Sequence, residues 1–263
     1  MTAPAISASL VKELREQTGA GMMDAKRALV ETGGDIEAAR VLLRERGMAS
    51  AAKRAGRETS EGVVLFRGHT MVAIGCETEP VSKNEAFVSF ANKVLELVDT
   101  QGRDAIARLD EERQELIGKL GENVVVVGAE RFTAVDGGIV DGYVHPPANK
   151  LGVLVHVRGG STAIARKVAM HIAALAPRWI GREDVPEELV TAEREIYENS
   201  DEVLSKPEQA RTKIVEGMLN KRFFAAQVLT EQQWIHDGAK TVAQALGDEG
   251  VEVLEFERFA LAG

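Results

Sequence analysis

The residues best suited to chemistry lie in the segment 76–87, which reads Cys-Glu-Thr-Glu-Pro-Val-Ser-Lys-Asn-Glu-Ala-Phe. Glu77 and Glu79 flank Thr78 at the point where an apolar, strand-like run ends. Two carboxylates at this spacing could bind a metal ion or act as general bases, and together with His145 they would form the site of a small acid–base enzyme. The simpler interpretation is that alternating glutamates face solvent at a strand end. The residues alone leave both interpretations open.

The sequence lacks the common cofactor and metal motifs. It contains neither a Gly-x-x-x-x-Gly-Lys-Ser/Thr phosphate loop nor a Gly-x-Gly-x-x-Gly between a strand and a helix, and no histidine and cysteine set has the spacing of zinc ligands. We therefore expect no cofactor and no metal site. Cys76 is the only cysteine, which excludes an intramolecular disulfide and fits a reducing cytosol. It ends an apolar run, so we expect a buried and inert thiol.

Composition and charge predict a cytoplasmic protein of about two domains. The 263 residues are 44% hydrophobic and 28% charged. No run approaches the roughly 20 apolar residues of a membrane span, and no basic flank followed by an apolar segment begins the chain. The net charge is −9. Lys53, Arg54 and Arg57 are the best candidate for a basic patch, but a solvated helix end explains them as well. We expect no membrane binding and no direct nucleic-acid binding.

Residues 14–29 read as a helix that ends, turns at once and is followed by a second helix. Gly19 and Gly21 supply the turn, because glycine readily adopts the left-handed conformation of a helix C-cap. Met22 and Met23 follow directly. From the pattern alone, the simpler interpretation is that these methionines fill a small core. The alternative is that they form a partner surface, for which soft and adaptable side chains are well suited.

Periodicity places this turn within a small helical module. Residues 6–47 predict three short helices, the third capped by Asp35 and ended by Gly47. The shape is that of the three-helix modules of the ubiquitin-associated type. Such a small unit buries little surface, so it should lean on the rest of the chain or on a partner. With the exposed connector that follows, it makes the first predicted domain, residues 1–57.

The remainder predicts a duplicated α+β core. Two β-prone runs separated by a short turn, an apolar helix and the strand-like residues 124–127, expected to be buried, form the first copy. The second copy repeats this order from Asp141, and residues 251–261 provide its last strand. We therefore predict an internal duplication of an antiparallel-sheet-plus-helix unit, with subdomains at residues 58–138 and 139–263.

A charged helical insert interrupts the second copy at residues 184–226. Leu189, Ile196 and Val203 recur at intervals of seven, and Pro186 and Pro207 stand where helices begin. The pattern predicts an antiparallel, coiled-coil-like helix pair. Its apolar face needs to be covered, either by the other helix of the pair or by a second subunit, so a homodimer through this insert is one of the two explanations.

The run Leu-Arg-x-Gln-Thr-Gly-Ala-Gly-Met-Met-Asp-Ala-Lys-Arg-Ala-Leu at residues 14–29 resembles the amino-terminal signature of the bacterial elongation factor Ts family. Further motifs resemble the same family, at residues 142–155, 169–174, 214–217 and 240–242. The resemblance covers essentially the whole chain. It implies a non-catalytic guanine-nucleotide exchange factor that binds the GDP form of the GTPase elongation factor Tu.

The resemblance also implies how such a protein acts. The segment at residues 77–84 is similar to the family's Glu-Thr-Asp-Phe-Val-Ala-Lys-Asn, a loop that is pushed towards the magnesium and phosphate site of the GTPase. Thr78 and Val81 match this pattern, whereas Glu79-Pro80 replaces Asp-Phe, so the aromatic wedge is missing. Residues 78–81 are thus implied to be the magnesium-displacing loop.

Two further contact regions are implied by the same resemblance. Met22, Met23 and Lys26 would touch the GTPase domain of elongation factor Tu, and His145 and Leu151 would hold another domain. Two rival hypotheses remain. A helix-module adaptor would bind its partner without changing GDP release, and a small enzyme based on Glu77, Glu79 and His145 would turn over a substrate alone.

Overall fold

The computed structural model describes residues 6–135 and 137–261 and confirms an α+β fold. The amino-terminal part is helical: α1 (Ala8–Thr18), α2 (Met22–Glu31) and α3 (Ile36–Arg54). The first core unit follows with β1 (Glu61–Arg67), β2 (Thr70–Cys76), α4 (Glu79–Ser82), α5 (Glu85–Gln101), a 3₁₀ segment (Arg103–Leu109), α6 (Asp110–Leu120) and β3 (Val124–Arg131).

The second core unit contains the helical insert. It runs through β4 (Ile139–Val144), β5 (Leu151–Arg158), α7 (Thr162–Leu175), α8 (Glu187–Glu198), α9 (Asp201–Leu204), α10 (Glu208–Met218), a π-helical segment (Leu219–Phe224), α11 (Ala225–Gln227), α12 (Val242–Asp248) and β6 (Glu252–Ala260). The predicted domain boundaries at residues 57/58 and 138/139 stay predictions.

The two sheets are built alike, in accord with the predicted duplication. Each is antiparallel, with strand order β1-β2-β3 in one and β4-β5-β6 in the other. Each central strand carries a register shift against its third strand, between Ala73 and Ile74 in the first and between His156 and Val157 in the second. Helix α5 packs on the first sheet and α7 on the second. The same strand–strand–helix unit therefore occurs twice.

The two sheets pack against each other, with α5 and α7 on their outer faces. Alternate residues of the first sheet point to the two sides, so that Val72 and Ile74 pack under α5 while Met71 and Ala73 meet the second sheet. Glycine permits a close approach at this interface: a Cβ on Gly142 would lie 2.7 Å from ring atoms of Phe66. The sheets thus form the rigid centre that positions the strand ends.

Helix α3 is longer than predicted. Gly47 was expected to end it, yet the helix continues to Arg54, and Ala51 packs into the core beneath α5. The helix continues past Gly47 because α3 crosses α6 closely there. A Cβ on Gly118 of α6 would lie 2.8 Å from the Cα of Gly47. Gly47 serves here as a point of approach and not as a helix end, and the expected connector is correspondingly shorter.

Strand β3 forms where residues 124–127 predicted it, but the expectation of a buried strand is wrong. Val124 is buried, whereas the side chain of Val127 is half exposed. The strand lies at the edge of its sheet, paired with β2, and therefore has an open flank. A run of β-branched residues indicated the strand correctly, but it could not indicate the strand's position in the sheet.

The insert forms the predicted helix pair with a different seam. Proline precedes α8 and α10 as expected. Val190 and Tyr197 face the buried Val215, while Leu189 and Ile196 lie exposed. The spacing by sevens fails as a seam because Leu189 and Ile196 lie on the outer face of α8, one residue before the pair that packs inward. The homodimer through this insert stays a prediction.

Candidate functional site

The segment that follows β2 starts from a buried thiol. Cys76 is the last residue of the strand, is fully buried, and its Sγ lies 3.4 Å from the carbonyl oxygen of Thr78. Burial is the main cause that raises the pKa of this thiol to about 12. The predicted burial of this cysteine is confirmed, and a raised pKa disfavours the reactive thiolate at neutral pH.

The two carboxylates beyond Cys76 are held by different partners. Glu77 accepts a hydrogen bond from the backbone N–H of Asn123 at 2.7 Å, and the Arg57 guanidinium lies 3.4 Å from its carboxylate. Glu79 is exposed and accepts a hydrogen bond from Lys83 Nζ at 2.6 Å. That bond favours the ionised form and lowers the pKa of Glu79. An ionised, exposed carboxylate with its own cation is poorly suited to donate a proton as a general acid.

Thr78 is fastened to a residue that the sequence did not single out. Its backbone N–H donates to Glu122 Oε2 at 3.0 Å, and its Oγ1 donates to Glu122 Oε1 at 2.6 Å. Because a carboxylate accepts both bonds, they are of the stronger, charge-assisted kind. The main chain at Thr78 is therefore held from outside its own segment.

The predicted loop contains a single helical turn, α4, and is followed by the long helix α5. Pro80 sits in the first turn of α4, where its fixed φ fits and its missing N–H removes no helical hydrogen bond. Asn84 Oδ1 accepts a hydrogen bond from the N–H of Ala86 at 2.9 Å and so caps α5. Val81 packs partly into the core, whereas Thr78, Glu79 and Pro80 stay exposed.

Comparison of the two copies shows that this connection is longer than the fold requires. In the second copy, β5 is joined to α7 by residues 159–161, with Ser161 as the helix cap. In the first copy, β2 is joined to α5 by residues 77–84, including α4. Three residues are enough to connect the strand and helix of this unit. The additional residues of the first copy are therefore available for a task other than folding.

His145 and Leu151 lie at the β4–β5 turn. The N–H of His145 donates to the carbonyl of Leu151 at 2.8 Å, and its Nδ1 lies 2.7 Å from the hydroxyl of Tyr143. His145 is exposed and Leu151 is half-buried. Lys150 reaches across to Glu61 at the start of β1, and its charge contributes to the lowered pKa of Glu79. The turn thus lies at the same end of the first sheet as α4.

Met22, Met23 and Lys26 lie on the outer face of α2. Met22 and Met23 are 60% and 65% exposed, and Lys26 is exposed as well. The interpretation of the methionines as core residues is wrong, because Ala25 and Leu29 already fill the inner face of this short helix. Two adjacent methionines in contact with solvent form an apolar corner of the kind found on partner surfaces.

The described residues place the acid–base candidates in separate environments. Glu77, Glu79 and His145 each have the partner given above, and within residues 6–135 and 137–261 no group of three or more histidine, cysteine, aspartate or glutamate side chains is arranged to hold a metal ion. Over the same residues, no helix has both the length and the apolar character needed to span a membrane. Among the regions that the sequence singled out, the methionine corner, residues 78–80 and His145 of the β4–β5 turn are exposed.

Comparisons with known proteins agree with this geometry. The family model described as elongation factor TS matches residues 77–263. The elongation factor Ts of Thioalkalivibrio sulfidiphilus is 41% identical over 97% of this chain and 91% of its own length. That of Pasteurella multocida is 40% identical over 97% and 91%, and that of Arthrobacter sp. strain FB24 is 41% identical over 96% and 97%.

The chain belongs to the elongation factor Ts family. It is therefore a translation elongation factor, as the resemblance of residues 14–29 and 77–84 implied. The family model begins at Glu77, the first residue after β2. The clamp formed by the two hydrogen bonds from Thr78 to Glu122 therefore lies within the matched region. Glu122 and Asn123 were not predicted from the sequence, where their only local signal is a Gly-Glu-Asn turn between a helix and a strand.

Proposed function

We propose that this elongation factor Ts family member is a guanine-nucleotide exchange factor. It binds elongation factor Tu in its GDP form, disturbs the magnesium and phosphate site, and so speeds the release of GDP and its replacement by GTP. The observation that carries the proposal is the turn at residues 78–82, which is exposed at residues 78–80, is longer than the matching connection of the second copy, and is held by Glu122. The activity belongs to the cytoplasm, where elongation takes place.

Three exposed regions would make the contacts with elongation factor Tu. The corner formed by Met22, Met23 and Lys26 and the turn at residues 78–81 would meet the GTPase domain. The β4–β5 turn, with His145 and Leu151, would hold another domain. The apolar corner would supply affinity through burial of its side chains. The turn at residues 78–81 would disturb the magnesium and phosphate site, and because it is already held in place, little binding energy is lost in ordering it.

The exchange mechanism is thermodynamic and needs no catalytic residue in this chain. If binding of the exchange factor weakens the binding of GDP, then GDP weakens the binding of the exchange factor by the same factor. Each tenfold loss of GDP affinity corresponds to about 1.4 kcal/mol of opposing binding energy. The direction of exchange is then set by the relative concentrations of GTP and GDP.

Stopped-flow release of a fluorescent GDP from elongation factor Tu tests the proposal. We expect strong acceleration by the native chain and a weaker effect from Glu79→Ala. Glu202→Ala is the matched control, because Glu202 is also an exposed carboxylate whose pKa is lowered by a hydrogen bond from a cation, in this case Arg222. Binding with unchanged GDP release would refute exchange and leave the adaptor, whereas turnover of a small molecule by the chain alone would favour the enzyme.

Pro80 allows the role of the missing aromatic wedge to be measured. Pro80→Phe restores the family's residue at an exposed position, and Pro80→Ala removes the stiffness of proline without adding a ring. We expect Pro80→Phe to release GDP faster than Pro80→Ala. Equal rates for the two variants would show that the turn acts through its backbone and charge, without need of a wedge.

The methionine corner is tested by affinity. We expect Met22→Ala combined with Met23→Ala to raise the concentration at half-maximal exchange by about tenfold, since loss of two interfacial apolar side chains removes on the order of 1–2 kcal/mol. Met48→Ala is the control, because Met48 is 42% exposed on α3 and is not part of the proposed contacts. An unchanged half-saturation concentration in the double variant would remove this corner from the interface.

A further inference from the structure

We propose that residues 118–123, the end of α6 and the turn after it, are a brace that holds the turn at residues 78–82 and the amino-terminal helices in one fixed arrangement. Within this brace, Glu122 is a positioning residue for nucleotide exchange. The inference deepens the proposed function and rests on it, because it assigns a role to a residue that need not touch elongation factor Tu.

The first grip of the brace is on the exposed turn. Glu122 accepts hydrogen bonds from both the N–H and the hydroxyl of Thr78, at 3.0 and 2.6 Å. The next residue, Asn123, is 1% exposed and donates its backbone N–H to Glu77 at 2.7 Å and its side-chain Nδ2 to the carbonyl of Arg57 at 2.9 Å. Two consecutive residues of the brace thus fasten the start of residues 77–84 at its first two positions.

Val81 anchors α4 on the core, and the bonds to Glu122 hold the start of this short helix. An isolated helix of a single turn is unstable, since nucleation fixes several residues for one hydrogen bond. Thr78 occupies the N-cap position of α4, yet its hydroxyl makes no capping bond and is directed to Glu122 instead. The hydroxyl that would ordinarily stabilise the helical turn is therefore used to attach it to the brace.

The second grip is on the amino-terminal helices. The backbones of Gly118 and Gly47 touch where α6 crosses α3, and Arg44 of α3 forms ion pairs with two carboxylates of α6. The side chain of Lys119 lies against the backbone of Gly19, the residue that ends α1. This contact lies at the turn that leads directly into Met22. The methionine corner is thus supported by the residues immediately before Glu122.

The two grips are separated by only a few residues. Gly118 and Lys119 belong to the last turn of α6, and Gly121, with φ of 76°, ends that helix and directs the chain to Glu122. Both proposed contact regions for the GTPase domain are therefore fixed to one short, rigid piece of chain. Elongation factor Tu would therefore contact the methionine corner and residues 78–82 as one preformed surface. Binding at the corner would then place residues 78–82 at the nucleotide site.

This arrangement makes a prediction that separates rate from affinity. Without the carboxylate of Glu122, the methionine corner still binds, but the main chain at Thr78 is held less firmly against the nucleotide site. We expect Glu122→Ala to lower the maximal rate of GDP release by about tenfold, the loss expected for hydrogen bonds to a charged group, with less than a twofold change in the half-saturation concentration. A residue that only contributes to binding would change the half-saturation concentration instead of the maximal rate.

Hydrogen exchange of the free chain provides an independent readout of the clamp. We expect the amides of Thr78 and Ser82, which donate to Glu122 and to the carbonyl of Thr78, to lose about tenfold of their protection in Glu122→Ala, since a loss of about 1.4 kcal/mol corresponds to a factor of ten. Glu122→Gln retains one acceptor oxygen and should restore part of the protection. Thr78→Val removes only an exposed hydroxyl and cannot unfold the core, whereas Thr78→Ser keeps the hydroxyl and should behave as the native chain.

Glu112→Gln is the matched control, because Glu112 is an exposed carboxylate on α6 that pairs with Lys93, away from the turn. If the native chain fails to accelerate GDP release, the proposed function is wrong, and hydrogen exchange still decides whether the clamp exists. In an active chain, unchanged protection in both Glu122→Ala and Thr78→Val overturns the clamp. Lost protection with an unchanged maximal rate overturns the positioning role of Glu122.

Discussion

The crossing of α3 and α6 gives the sharpest test of how the amino-terminal helices are attached. Gly47 and Gly118 face each other there, but the contact is asymmetric. A Cβ on Gly118 would lie 2.8 Å from the Cα of Gly47, closer than real Cβ atoms approach a backbone atom, whereas a Cβ on Gly47 would lie 3.8 Å from the Cα of Gly118, an ordinary contact distance. Alanine should therefore be tolerated on one helix and not on the other.

The expected magnitudes follow from two opposing effects. Alanine in place of glycine stabilises a helix by about 0.5–1 kcal/mol. Gly47→Ala receives this gain without a clash, so the variant should be more stable by about that amount. Gly118→Ala receives at most the same gain but must push two backbones apart, and overpacking of this kind costs about 1–3 kcal/mol. The two variants should differ by about 2 kcal/mol, because the propensity term largely cancels between them.

Thermal unfolding followed by circular dichroism measures this difference. At this chain length, 1 kcal/mol shifts the midpoint by about 2–4 °C, so we expect Gly118→Ala to unfold about 4 °C or more below Gly47→Ala. Protection of α3 amides from hydrogen exchange should fall in Gly118→Ala and not in Gly47→Ala. If Gly118→Ala is as stable as Gly47→Ala, the helices are not packed as closely as described and the second grip of the brace is refuted.

Three further predictions concern single side chains. His171 is fully buried 3.0 Å from Gln232, and burial lowers the pKa of this histidine below its ordinary 6.5. Below pH 6.5 the unfolded chain therefore binds a proton at this histidine that the folded chain does not bind. Urea titrations should show the free energy of unfolding falling as the pH drops, by up to about 1.4 kcal/mol per pH unit. His171→Gln should lack this dependence. Cys76, with its raised pKa, should react with iodoacetamide at pH 8 only after unfolding in urea; rapid labelling of the native chain would contradict its burial. Thr241 and Gln244 form a reciprocal capping box on α12, so Thr241→Ala should lower the free energy of unfolding by about 1 kcal/mol while Thr241→Ser stays near the native value.

Much of the fold could be predicted because its signals are local. The apolar stripe of α5, including Phe87 and Phe90, is buried as its spacing indicated. Asp35 caps α3 as predicted, since a short polar side chain before an apolar period is a recognisable start signal. The duplication also followed from order along the chain, which repeats independently of how the two copies pack.

The incorrect predictions share a physical cause, which is that burial depends on residues far away in sequence. Gly47 was interpreted as a helix end because glycine is a poor helix former, but α3 continues through it, and the close contact there depends on Gly118 of α6, which is distant in sequence. The pattern alone favoured a core position for Met22 over a partner surface, but the module is too small to bury this side chain. The candidate site was predicted in part, since α4 and the β4–β5 turn carry the residues that the family resemblance indicated.

Glu122 could not be found locally, yet comparison of the two copies explains why it lies where it does. The central strand of each sheet ends beside the start of the third strand, as the pairing of Cys76 with Val124 shows for the first copy. In the second copy the same corner is filled by backbone, for a Cβ on Gly159 would lie 2.3 Å from the carbonyl oxygen of Gly250. The fold therefore brings these two connections together in either copy. In the first copy, a longer connection and an acidic side chain occupy that corner, and a packing contact between glycines is replaced by a hydrogen-bonded clamp on an exposed turn.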